Sequence, residues 1–192
     1  MKKTLLDYLT ICKNLTLAPR RFFSEMPITE GIRKALYFAI FVYYFRSALL
    51  YLTGYQQGYF FNPVIKVNPV VSAWAAVFLS IAPFLWLLIL YAESLFINRI
   101  GAFFGGVGNF EGAFKIMAFV LFLALFQWIP VVNFVARAYA LILLVVGIRY
   151  VFRLDWISSI LTLFFAYIFT SILYLILFGL PAFMSRLVFF RF

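Results

Sequence analysis

The chain has 192 residues, of which 67% are hydrophobic and 11% charged, with a net charge of +10. Soluble domains are about half apolar and about a quarter charged, and disordered chains are polar and charge-rich, so both classes are excluded. What remains is an all-α polytopic membrane protein, read as a single domain over residues 1–192.

The residue inventory also restricts the chemistry. There is no histidine and one cysteine, Cys12, so no intrachain disulfide and no histidine-based metal site or nucleophile–base pair can be assembled. No cofactor, metal or catalytic residue is expected, and an enzyme is not expected. The positive charge suits membrane topology and anionic phospholipids rather than nucleic acid, because no basic run exceeds two residues.

The chain opens with Lys2 and Lys3, but no uninterrupted apolar core and no small-residue cleavage site follow. The N-terminus is therefore expected to be retained. Over residues 2–18, Leu5, Tyr8, Leu9, Cys12 and Leu15 recur at spacings of three and four. That pattern predicts an amphipathic helix lying in the membrane interface. Pro19 stops it. In Arg20-Arg21-Phe22-Phe23 the cations are expected at headgroups, together with Lys2 and Lys3, and the rings at the acyl boundary.

A membrane helix needs about 20 mostly apolar residues. Five stretches qualify, at about 32–52, 70–97, 112–129, 131–152 and 156–180. The second contains Pro83 and is longer than a bilayer requires, so tilt, a kink or emergence into the cytoplasm must absorb the excess. The third and fourth are separated at Trp128-Ile129-Pro130, because proline disfavours a helical residue before it and starts a helix well. Gly101, Gly105, Gly106 and Gly108 fall in the loop between the second and third spans. No Gly-Lys-Ser/Thr follows, so they are read as permitting a turn and close packing rather than as a phosphate loop.

With the N-terminus in the cytoplasm, eleven Lys and Arg lie inside, against Lys66, Arg186 and Arg191 outside. This follows the positive-inside rule and puts the C-terminus outside. Trp74 and Trp128 then mark the outer boundary and Trp156 the inner one.

Charges at depth are the strongest functional signals in such a chain. Arg46 and Arg137 both fall about 10 Å below the outer surface at roughly 1.5 Å per residue. No carboxylate is expected at that depth. Each guanidinium either snorkels to the outer headgroups or binds a lipid phosphate or another anion. On the inner side, Glu93 ends the second span and Lys115 begins the third. They are expected to form an interfacial ion pair, with Glu111 as an alternative partner for Lys115.

The stretch LTLAPRRFFSEMP followed by GIRKALYFAI, and then GGVGNFEGAFKIMAF, WIPVVN and YALILLVVGIRYV, resembles the Yip family of Ypt/Rab-interacting membrane proteins, in its bacterial form. The resemblance implies a five-helix fold with a cytoplasmic N-terminus and an exterior C-terminus. It implies a role in membrane organisation or trafficking and brings no catalytic residues. The Asp-Leu-x-Gly-Pro-like signature of eukaryotic members is absent, so binding to prenylated Rab proteins is not carried over. The leading expectation is a non-enzymatic adaptor or scaffold in a bacterial cytoplasmic (inner) membrane. Its partners are the lipid bilayer, anionic phospholipids and an unidentified membrane or cytoplasmic protein, with homo-oligomerisation left open. The alternative is a small transporter or a lipid- or anion-binding protein using Arg46 and Arg137.

Overall fold

A computed structural model describes residues 2–52, 69–126 and 129–176. Expectations for Lys66, Trp128, the fifth span beyond residue 176 and the side of the C-terminus lie outside the described residues, as do those for the side chains of Lys2, Lys3, Leu5 and Trp74. The described residues are helical and contain no strand. In chain order the helices are α1 (Lys2–Leu17), α2 (Pro19–Glu25), α3 (Arg33–Leu52), α4 (Pro69–Phe103), α5 (Phe110–Val120), α6 (Pro130–Phe152) and α7 (Trp156–Tyr174). A 3-10 segment, Leu121–Phe126, continues α5.

Local chemistry explains where these helices start and stop. Asn109 caps α5 by accepting the Gly112 amide at 2.8 Å, with Glu111 in the first turn where the helix dipole favours an acid. Pro130 opens α6, and Arg153 closes it in the left-handed conformation at φ 56°. Asp155 caps α7 by accepting the amides of Ile157 at 3.0 Å and Ser158 at 3.2 Å. The hydroxyl and amide of Ser158 hold its carboxyl below the usual carboxylate range. The connection from α6 to α7 is only Arg153-Leu154-Asp155, so the two helices form an antiparallel pair.

Three described stretches are long and apolar enough to cross a membrane: Pro83–Phe103, Val131–Phe152 and Trp156–Tyr174. Their outward faces carry exposed Phe84, Leu88, Phe134, Ile142, Phe164 and Ile172. An apolar belt of this extent requires hydrocarbon around it. The expected third span differs in form. It is an 11-residue α-helix followed by six residues of 3-10 helix. At rises of about 1.5 and 2.0 Å per residue the combined rod is about 28 Å long, close to the ~30 Å of a bilayer core. It faces no lipid along its α-helical part, where every residue from Gly112 to Val120 is buried. α3, α4 and α6 pack around this central helix, and α7 closes against α4 and α6.

The second span also ends later than expected. α4 runs on through Asn98 and Arg99 to Phe103, beyond the expected end at Ile97. Pro83 is buried within it. The glycine loop then turns back over the end of α6. Gly105 has φ +84°, which only glycine adopts freely. Gly101, Gly106 and Gly108 close around the Phe152 ring, and a Cβ on Gly108 would lie 2.5 Å from it. The Val107 amide donates to the Phe152 carbonyl at 3.0 Å. The loop is thus a cradle for Phe152.

The N-terminal arm is built into the bundle. Leu15 is fully buried, and Tyr8, Ile11 and Cys12 pack against the core, whereas Leu9 is 58% exposed. The stripe that meets the bundle follows positions 8, 11, 12 and 15, so it includes Ile11 and leaves Leu9 outside it. Pro19 ends α1 as expected and begins α2. Of the rings after it, Phe23 turns into the bundle and Phe22 is half-buried against it. Phe23 is 2% exposed and seats on Gly147 of α6, beside Ile116 of α5. Phe22 stacks edge-on against Phe119 at 5.7 Å, and Tyr8 against Phe38 at 5.2 Å. Tyr139 donates its hydroxyl to the Thr16 carbonyl at 2.7 Å. The rings cover core side chains because a closed apolar notch gives them more contact than mobile lipid does.

A Cβ on Gly147 would sit 2.7 Å from Ile116 and 3.0 Å from Phe23. Gly147→Val is expected to overpack this notch and cost about 1–3 kcal/mol. The check is a lower thermal midpoint in detergent, accompanied by faster proteolysis of the arm.

Candidate functional site

A layer of polar side chains runs across the bundle, buried at Tyr43, half-buried at Arg46 and Glu93, and exposed at Arg137 and Tyr167. Depth can be counted from the end where the glycine loop meets Phe152. At about 1.5 Å per residue, Tyr43, Glu93 and Tyr167 all lie about 15 Å in, and Arg46 and Arg137 about 20 Å in. Four helices supply the layer: α3 gives Tyr43 and Arg46, α4 gives Glu93, α6 gives Arg137 and α7 gives Tyr167. A cavity of about 380 Å³ lies between them, bounded by Tyr43, Glu93, Arg137 and Tyr167 and walled by Leu90, Met117, Val120 and Leu144.

The contacts within the layer are specific. The Arg46 guanidinium lies over the Trp86 ring, 5.6 Å from its centroid, and this is a cation–π contact. Arg46 is close enough to feel the charge of Arg137. Tyr43 donates its hydroxyl to the Trp86 carbonyl at 3.3 Å. Arg137 donates from Nε to Asn133 Oδ1 at 2.9 Å, which fixes the guanidinium beside its own helix. Glu93 lies within electrostatic reach of both Tyr43 and Tyr167.

Glu93 departs most from its sequence-based position. It stands ten residues before the end of α4 at Phe103. A carboxyl therefore does accompany the two arginines in this layer, about one turn nearer the glycine loop. The expected Glu93–Lys115 pair gives way to separate ties. Lys115 is 5% exposed and donates its Nζ to the Pro27 carbonyl. Glu111 Oε2 accepts the Gly31 amide at 3.0 Å. One turn apart on α5, these two side chains pin the loop that joins the arm to α3. Among the described residues the ion pair that forms is Arg21–Glu25, at 2.9 Å with both partners exposed. Such a surface pair is worth less than about 1 kcal/mol. Arg20 is exposed.

Tyr43 and Tyr167 were not singled out by sequence, although a phenol within an apolar span is a signal of its own. It must find a polar neighbour or reach an interface. Among the described residues no three His, Cys, Asp or Glu side chains gather as a metal site.

The Yip1 domain profile matches residues 13–185. The chain belongs to the Yip1 domain family. No curated protein and no solved structure gives a significant match. In this Yip1-domain protein the matched region takes in the whole polar layer, the glycine loop and the arm from Lys13 onward.

Proposed function

We propose that this Yip1-family membrane protein is a non-enzymatic scaffold that crosses the bilayer five times and recruits a protein to its N-terminal arm. The arm carries the reading. It is anchored to the bundle by Phe23, Leu15 and the Tyr139–Thr16 hydrogen bond. Its outer side presents Lys13 and Asn14 beside Leu9 and Leu17, which are 58% and 73% exposed. A surface that mixes charge with exposed leucines and is held on a rigid support is preorganised for a protein partner.

The five crossings are α3, α4, the rod of α5 with its 3-10 extension, α6 and α7. The N-terminus is cytoplasmic and the C-terminus exterior, in the inner membrane of a bacterium, as the inward bias of Lys and Arg supports. Single cysteines placed in a Cys12→Ser background test this arrangement. Val107→Cys is expected to react with a membrane-impermeant maleimide only after permeabilisation, and Val131→Cys to react in intact cells. The reverse pattern overturns the orientation.

The scaffold role is tested by photo-crosslinking from positions 9 and 17 in cells. A discrete protein adduct that disappears with Lys13→Glu is the expected result. Adducts to lipid alone overturn it.

The cavity beside Arg137 favours a second reading, in which the polar layer holds an anionic group of a lipid or solute. On this reading Arg137→Gln lowers retention of anionic lipid or solute on the order of tenfold, the effect of losing a charge-assisted hydrogen bond. Mass spectrometry of the purified protein measures it, and an unchanged profile removes the reading.

A further inference from the structure

A larger cavity lies on the opposite side of α5. The central helix turns Met117 and Val120 to the polar layer and Lys115 and Phe119 to this second space. The cavity measures about 870 Å³ and lies between α1, α2, the loop that Glu111 and Lys115 pin, and the start of α3. Small-ligand sites commonly measure about 300–1,000 Å³.

Its lining is amphipathic. Ile11, Phe22, Met26 and Phe119 supply an apolar floor. Arg21, Arg33, Lys34 and Lys115 face it against two carboxylates, Glu25 and Glu30. Glu25 is already engaged by Arg21 at 2.9 Å, so the remaining balance is cationic. Arg33 and Lys34 are exposed at the mouth, whereas Lys115 is buried in the wall.

Lys115 points to the ligand. An ammonium has three N–H donors. Among the described residues its acceptor is the Pro27 carbonyl, and no carboxylate pairs with it. Glu111, the nearest acid on the same helix face, is turned to the Gly31 amide. A buried cation is costly unless its donors and its charge are met. The cavity is where an anionic acceptor can meet them.

We propose that this cavity binds a phosphate-bearing anion, with the phosphate at Lys115 and with Arg33 and Lys34 closing on it from the mouth. An anionic glycerophospholipid fits the whole lining, because its glycerol backbone and first acyl carbons lie on the floor formed by Phe22, Met26 and Phe119. Inorganic phosphate shares the charge and leaves that floor empty. The site is independent of protein recruitment by the outer side of the arm and of the Arg46–Arg137 layer.

The test uses the full chain in phosphatidylcholine nanodiscs, with and without phosphatidylglycerol. Native mass spectrometry reads the phosphatidylglycerol retained, and a thermal shift in discs without it reads binding of inorganic phosphate. Lys115→Met keeps the length of the side chain and removes its charge. It is expected to weaken phosphatidylglycerol binding on the order of tenfold, the effect of losing a charge-assisted hydrogen bond. The double variant Arg33→Gln/Lys34→Gln changes exposed side chains and decides the matter if Lys115→Met does not fold. Loss of phosphatidylglycerol in either variant supports a lipid phosphate in this cavity. Loss of the inorganic phosphate shift alone supports a free anion as the source. Retention of both ligands at wild-type levels in the folded variants overturns the proposal.

Discussion

The architecture depends on the complete enclosure of α5. Nine consecutive residues, Gly112 to Val120, are buried, so every helix that touches them must approach closely on a different side. Small residues make that approach possible. Gly112 meets Val151, and Gly147 admits both Ile116 and Phe23. In lipid the hydrophobic effect does not press helices together, and association relies on such close packing and on polar ties. Here the ties run from α5 outward, through Glu111 to Gly31 and Lys115 to Pro27. The arm is therefore held by contacts that also define the centre of the bundle.

The same helix separates two chemically distinct spaces. On one side Tyr43, Glu93, Arg137 and Tyr167, from four helices, bound a small cavity. On the other side, cations and an apolar floor line a larger cavity beneath the arm. Each uses residues one helical turn apart or nearly so. Lys115 and Phe119 share one face of α5, and Met117 and Val120 share the opposite one. A rotation of α5 by half a turn would exchange these faces, placing the ammonium against Glu93 and emptying the arm cavity of its buried charge. The caps at Asn109 and the Glu111–Gly31 bond fix the rotation.

Much of this was legible in the sequence, for reasons that can be named. Composition and apolar run length identified the membrane class. Pro130 located the start of α6, Pro19 the end of α1, and the glycine cluster a packed turn. Arg46 and Arg137 stood out because a charge within a span is rare. Glu93 was placed at the end of its span because Asn98 and Arg99 look like the end of a span, yet the helix continues to Phe103, ten residues past the acid. The pairing of Glu93 with Lys115 rested on proximity in sequence. The observed partners, Pro27 and Gly31, lie 88 and 80 residues from Lys115 and Glu111. Long-range backbone acceptors leave no periodic mark. Phe22 and Phe23 read as lipid-facing because apolar pattern alone does not distinguish a protein notch from acyl chains. The 3-10 segment was invisible because Leu, Phe and Ala fit either helix type.

Burial of the central rod has a further consequence for biogenesis. α5 leaves the ribosome before α6, yet α6 supplies much of its cover, from Leu143 to Phe152. Until that cover is synthesised, the ammonium of Lys115 and the carboxyl of Glu111 have only α3, α4 and the arm loop to shield them from acyl chains. The nascent α5 is thus a poor stand-alone insert, and its stable residence in the bilayer is tied to the translation of the next helix.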